Sequence, residues 1–155
     1  MPTRSAAFPF RLAAIDIDDT LVGPDKQVSA TNRTAIDRLR AAGCRVVLAS
    51  GREHHSMAVY QQRLGLDDFV VANQGALVVQ PSSGQQIWRR PVEPALAVQL
   101  LARGLAEGFD VLMATDEGFV ATATSPWITH NLAGRDDTLR ITARDLHDEA
   151  RRSPL

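Results

Sequence analysis

Residues 12–22 read LAAIDIDDTLV, in which four apolar residues run straight into Asp16, Asp18 and Asp19, with Thr20 next. An ionised carboxylate loses its hydration inside a core and is not left there unpaired. The charges therefore belong at the rim of a buried strand, where a cation can compensate them. Asp16 and Asp18 are two positions apart, which on an extended chain turns both side chains to one face. Oxygen-only donors, with no histidine or cysteine among them, suit a hard cation such as Mg²⁺. The bland alternative is a turn or cap made from Asp, with Thr20 bonding locally. It suits a lone Asp better than a D-x-D-x-T set placed directly behind an apolar run. Two more polar clusters follow apolar runs: Ser50-Gly51-Arg52 after RVVLA, and Asn73-Gln74-Gly75 after FVVA. Open parallel sheets bind their ligands at the carboxyl ends of strands. All three clusters fall at such ends.

The elements that must hold them are legible. Residues 12–17 are apolar on both faces, as in a strand of a buried parallel sheet. Gly23-Pro24 punctuates the following loop. Ser29 is a good N-cap for a helix over 30–42, with Ala35, Ile36, Leu39 and Ala42 on one face and Gly43 as its stop. Strands follow at 45–49 and 69–72, with a helix over 54–64 between them that ends at Gly65. This β-α-β-α-β order with short connections predicts a right-handed, doubly wound α/β sheet of Rossmann-like type. After Gly75 the pattern changes. ALVVQ, PSSG and QQIWR predict a β-hairpin. A helix is expected over 95–107, an antiparallel pair from DVLMAT and GFVATA, a short helix capped at Ser125-Pro126, a strand at LRIT and a polar helix in ARDLHDEARR. Residues 1–76 thus read as part of an α/β core and 77–155 as an α+β module.

The chain has 155 residues, 45% of them hydrophobic, and a formal net charge of −1. That is enough for a core and suggests neither disorder nor a basic nucleic-acid surface. Cys44 is the single cysteine, so no disulfide framework exists, which fits a reducing cytoplasm. Pro9 and Arg11 interrupt the N-terminal apolar residues, so neither a signal peptide nor a membrane span is expected.

AAIDIDDTLV followed by VVLASGR resembles the first two motifs of the haloacid dehalogenase superfamily of phosphohydrolases. ANQGALV, then a hairpin and an α+β module, is similar to the Cof-type branch, subfamily IIB. The resemblance runs from about 10 to 142. It implies a phosphatase acting on a small phosphorylated metabolite. Asp16 would be the nucleophile that becomes an aspartyl-phosphate, and Asp18 the general acid and then base. Mg²⁺ would be held by the Asp16 carboxylate and the Asp18 backbone carbonyl. Ser50 and the Gly51 amide would bind phosphoryl oxygens, and Thr20 would brace the nucleophile loop. Arg52, Asn73 and Gln74 would be substrate-side groups. Asp19 stands where the family often has Gly, and Gln74 where Asn is usual.

Two family elements have no counterpart. Lys26 is the chain's one lysine, in the loop after the first strand rather than at the family's third motif. No G-D-x-x-N-D element is present; Gly134-Arg135-Asp136-Asp137 lacks a preceding buried strand. The resemblance therefore implies the N-terminal part of such a phosphatase, weakly active or inactive alone. In the family fold the nucleophile strand is central, so here residues 12–17 become an edge. Self-association through that edge, or a partner fragment, is expected. The rival class is a non-catalytic fragment or interaction module that needs a partner chain. A receiver-type phosphoacceptor would want its Asp at the third strand end, where Asn73 stands.

Weaker signals have bland readings. Adjacent His54 and His55 point different ways on a helix, against a shared metal. Asn32-Arg33-Thr34 matches a glycosylation pattern without meaning. Trp88, Trp127, Leu96, Leu100, Leu101 and Leu105 read as packing of the second module, and Cys44 as a buried small hydrophobe.

Overall fold

The computed structural model describes residues 9–122 and 141–152. The chain begins with β1 (Leu12–Ile15), α1 (Ala30–Ala41), β2 (Arg45–Ala49), α2 (His54–Leu64) and β3 (Val70–Ala72). Ser29 caps α1 by accepting the Asn32 N–H at 3.1 Å. Glu53 caps α2 with both carboxylate oxygens, which accept from His55 N at 2.9 Å and Ser56 N at 2.8 Å. Gly65 ends α2 with φ +62°, in the left-handed region where a Cβ is penalised. The three strands are parallel, β2 lying between β1 and β3.

Right-handed crossovers that step twice in one direction put both helices on one face of the sheet. That face is the core. Val46, Leu48, Val70 and Ala72 meet Ile36, Met57, Tyr60 and Leu64 there, with Ile17, Leu21 and Val22 from the loop after β1. On the other face Leu12 and Ala14 are exposed, and Val47, Ala49 and Val71 are only half-buried. The doubly wound expectation is thus not met among the described residues, because no strand steps back past β1 to carry helices to that side.

β4 (Leu77–Gln80) and β5 (Gln85–Arg89) form the expected hairpin. The change of pattern after Gly75 places it in the second module. In the structure it extends the first sheet, since β4 pairs antiparallel with β3 and buries Leu77 and Val79 in the same core. A second cluster joins α3 (Pro94–Ala106), β6 (Leu112–Thr115), β7 (Gly118–Ala121), β8 (Ile141–Ala143) and α4 (Leu146–Ala150). Ala97, Leu101, Met113, Val120, Leu146 and Ala150 form its buried centre. β6 and β7 are the expected antiparallel pair, and β8 adds parallel to β7. Arg89 of β5 ties the two units by pairing with Asp116 at 3.3 Å.

Three packing expectations fail. Only Leu101 of the four leucines on α3 is buried, because Ala97 and Leu101, one turn apart, define the packed face; Leu96, Leu100 and Leu105 are exposed. Trp88 is exposed on β5, which among the described residues is paired on one side only. Ala35 of α1 and its C-cap Ala42 are exposed, leaving Ile36 as the helix's buried residue. The helix at Ser125-Pro126, Trp127 and Gly134–Asp137 lie outside the described residues. No helix among the described residues is long and apolar enough to cross a membrane.

Candidate active site

Asp16 is the first residue beyond β1, and alternation places it and Asp18 on either side of fully buried Ile17. The segment then folds back sharply. The Leu21 N–H donates to the carbonyls of Asp16 (3.2 Å) and Ile17 (3.0 Å), and the Val22 N–H to that of Ile17 (3.0 Å). Burial of Ile17, Leu21 and Val22 pins the loop to the core, so the carboxylates are held at its rim. Asp19 adopts φ +57°. Glycine takes that conformation freely, and Asp tolerates it better than most side chains. The Thr20 hydroxyl is 3.5 Å from Asp16 Oδ2, a long contact. From α1, the Asn32 side-chain amide donates to Leu21 O at 2.9 Å and to Thr20 O at 3.4 Å.

Asp18 is held by two cations. Arg52 grips it with both arms of the guanidinium fork, Nε to Oδ2 at 2.7 Å and Nη2 to Oδ1 at 2.8 Å. Lys26 Nζ donates to Oδ1 at 2.8 Å. The Arg52 hydrogen bonds outweigh the cost of partial burial and, with Lys26 helping, hold the Asp18 carboxyl far below the usual carboxylate range. As it stands, Asp18 is an anion tied to two cations.

The second strand end meets the first directly, since β1 and β2 pair in register to Ile15 and Leu48. The Ser50 N–H donates to Val71 O at 2.9 Å, and Ser50 Oγ accepts the Arg52 N–H at 3.3 Å. The Asn73 N–H donates to Arg52 O at 2.8 Å, which draws the third strand end onto the same loop. The Arg52 guanidinium also lies over Tyr60, 5.3 Å from the ring centroid. Gly51 is needed for a close approach: a Cβ there would fall 2.2 Å from Gln74 Nε2. Asn73 and Gln74 turn the chain with φ of +49° and +55°. The structure thus gathers Asp16, Asp18, Thr20, Ser50, Gly51, Arg52, Asn73 and Gln74 at the carboxyl ends of β1–β3.

Residues 13–151 match the haloacid dehalogenase-like hydrolases. The chain belongs to that family. It is 31% identical over 91 residues to an HMP-PP phosphatase of Cronobacter sakazakii, covering 59% of this chain and 33% of that protein. It is 26% identical over 110 residues to the pyridoxal phosphate phosphatase YbhA of Escherichia coli, covering 71% and 40%. Its fold matches a solved subclass IIB sugar phosphatase of the family with a TM-score of 0.71 at 15% identity, over 93% of this chain and 55% of that one. The chain therefore spans between about a third and a little over half of the length of these proteins.

The donors of this haloacid dehalogenase-like hydrolase fit a hard cation in kind. Asp16 offers a solvent-facing carboxylate whose one side-chain bond among the described residues is the long Thr20 contact. Mg²⁺ keeps several waters and takes only one or two carboxylates from a protein. Glu53, His54 and His55 form a second group, with ligand atoms within 4.8 Å of one another. The two rings do not point apart as expected: their centroids are 3.9 Å apart, because both lie in the first turn of α2. Both oxygens of Glu53 are already engaged in capping, so no metal is assigned there. Asn73 is buried, and neither its Oδ1 nor its Nδ2 makes a hydrogen bond among the described residues.

Sequence reasoning missed two residues. Lys26 reaches Asp18 through a loop that the isolated bridges of Val22 with Asp18 and Val28 fold back on itself. Asn32, which in sequence only matches a glycosylation pattern, braces the D-x-D-x-T loop. Its place three residues after the Ser29 cap, on the first turn facing that loop, was the available signal.

Proposed function

We propose that this chain carries the nucleophile half of a Mg²⁺-dependent phosphomonoester hydrolase acting on a small phosphorylated metabolite. One observation carries the reading. D-x-D-x-T and Ser50-Gly51-Arg52 meet at the carboxyl ends of two paired parallel strands, and Arg52 bridges them through Asp18. The names of the two curated relatives, phosphatases of small phosphorylated compounds, support the substrate class. The α3–β6–β7–β8–α4 unit is proposed as part of a cap over these strand ends.

In this reading an Asp16 oxygen attacks phosphorus, and the bond from phosphorus to the ester oxygen breaks as the new one forms. Asp18, which its ion pairs hold as the anion, must first take up a proton from solvent; it gives that proton to the departing oxygen, then takes one from the water that opens the aspartyl-phosphate. Ser50 and the Gly51 amide hydrogen-bond the equatorial oxygens. Thr20 and Asn32 keep the nucleophile loop in place. Mg²⁺, held by the Asp16 carboxylate and the Asp18 carbonyl, would neutralise charge on the transferring group.

Beryllofluoride forms a stable mimic of a phosphorylated carboxylate. With Mg²⁺ it should bind the wild-type chain and not Asp16→Asn. Over a panel of phosphomonoesters, turnover by these 155 residues should be slight, since the sequence holds no G-D-x-x-N-D element, and should vanish in Asp16→Asn. Turnover retained by the pure variant refutes the nucleophile assignment. Absence of both binding and turnover in the wild type favours the non-catalytic interaction module.

A further inference from the structure

The guanidinium of Arg52 is committed in a way that the proposed chemistry does not use. Its two donating arms are both on Asp18, at 2.7 and 2.8 Å. That fork is the geometry in which arginine also receives two oxygens of a phosphate. The same residue stands two positions past Ser50, and Ser50 Oγ accepts its backbone N–H, so the guanidinium and the phosphate-side hydroxyl share one loop. The Tyr60 ring lies beneath the guanidinium, 5.3 Å from its centre to the ring centroid. Asp18 does not depend on Arg52 alone, because Lys26 Nζ sits 2.8 Å from Oδ1. Arg52 can therefore leave without stranding the carboxylate. Breaking a pair so as to leave one partner unpaired is the expensive outcome, and Lys26 removes it. Asp16 and Asp19 make the remainder of the strand end acidic, so a phosphate arriving there needs a cation released toward it.

We propose that the Arg52–Asp18 pair is an anion-operated latch: an incoming phosphoryl group takes the Arg52 guanidinium, and Lys26 alone keeps Asp18 paired. The latch rests on the phosphate-site reading of the Ser50 loop. It adds an order of events and a selectivity. Asp18 is occupied until a phosphate is present, and a ligand with no anionic group leaves it occupied. Arg52 is then a substrate-binding residue and Lys26 a positioning residue for Asp18.

The experiment is a titration of the 155-residue chain with inorganic phosphate, followed by nuclear magnetic resonance of the Arg52 Nε–H and the backbone amides. Phosphate should shift the Arg52 Nε–H and the Ser50–Gly51 amides at the same midpoint. Asp18→Asn removes the charge that holds the Arg52 fork, so it should tighten phosphate binding by about two- to fivefold, the scale of a partly exposed ion pair. In the Arg52→Gln background the same Asp18→Asn change should give no gain. Asp19→Asn removes an equal charge beside the site without touching Arg52 and is the control. An equal gain in the Arg52→Gln background, an equal gain from Asp19→Asn, or an Arg52 Nε–H that phosphate does not move overturns the latch. The first two outcomes leave the phosphatase reading standing, since that reading is judged on Asp16.

Discussion

Removing the Ser50 hydroxyl takes away one hydrogen-bonding group of several around the phosphate. The remaining Gly51 amide and Arg52 stay in place, because the Ser50 backbone is fixed by its own bond to Val71 O. Ser50→Ala is therefore expected to lower kcat/KM by about 5- to 150-fold, the equivalent of about 1–3 kcal/mol. Asp16→Asn, which removes the attacking oxygen, should cost far more. Steady-state kinetics of the two variants against one phosphomonoester decides it, and equal losses would mean that Ser50 does more than bind. At this scale the sequence showed residues whose neighbours declare them. Asp16 and Asp18 end an apolar run, and Ser50 and Asn73 end two more. It concealed residues whose role depends on a turn. Lys26 has φ +56° and reaches Asp18 across eight positions. Nothing in residue type or spacing announces a contact made by a loop that returns. The Gly51–Gln74 approach is hidden for the same reason, since it joins two strand ends.

Arg45 at the start of β2 and Asp68 just before β3 are joined by two bonds, Nε to Oδ2 at 2.8 Å and Nη2 to Oδ1 at 2.6 Å. The Arg45 hydrogen bonds lead the Phe69 amide in drawing the Asp68 carboxyl below its ordinary value, against the effect of burial. A carboxyl depressed in the folded state stabilises the fold above its unfolded pKa of about 3.9, and that contribution is lost as the pH falls through the folded value. Asp68→Asn should thus lower stability at neutral pH by at most about 1 kcal/mol, because Arg45 is largely exposed. The same variant should lose less than the wild type on acidification to about pH 3. Urea unfolding at the two pH values tests this, and parallel losses would sink it. At the scale of elements, caps and stops were legible. Ser29, Gly43 and Gly65 act locally, and local chemistry survives in sequence. Packed faces were less so. The heptad-like leucines of α3 offered several stripes, and only contact with α4 and β6 selects Ala97 and Leu101. The winding of the sheet is less legible for a related reason. Period and connection length fix the hand of each crossover but do not say whether a later strand steps back to the other side of β1.

In the whole molecule the sheet runs β1-β2-β3-β4-β5, so β1 is paired on one side alone among the described residues. Its other side presents the N–H and C=O groups of Leu12–Ile15 with no partner strand. No lysine, proline or inward charge blunts it, which are the usual means of protecting an edge. The sheet face that α1 and α2 leave bare adds apolar surface at the same place. Leu12 is 55% exposed and Phe10 66%, beside Ala14 and the half-buried Val47. An edge and an apolar face side by side favour pairing with another chain through hydrogen bonds and burial together. The 155-residue chain should therefore self-associate through β1, unless strands from elsewhere cover it. Sedimentation of dilute protein should show a concentration-dependent shift to dimer or larger species. Hydrogen exchange should show the outward amides of β1 gaining protection as association proceeds. Ala14→Lys, which puts a charge on the bare side of the strand, should restore the monomer without disturbing Ile15 or Ile17. A wild-type chain that stays monomeric at all concentrations, with every β1 amide protected, would mean that the sheet is completed within the chain and that no second molecule is needed.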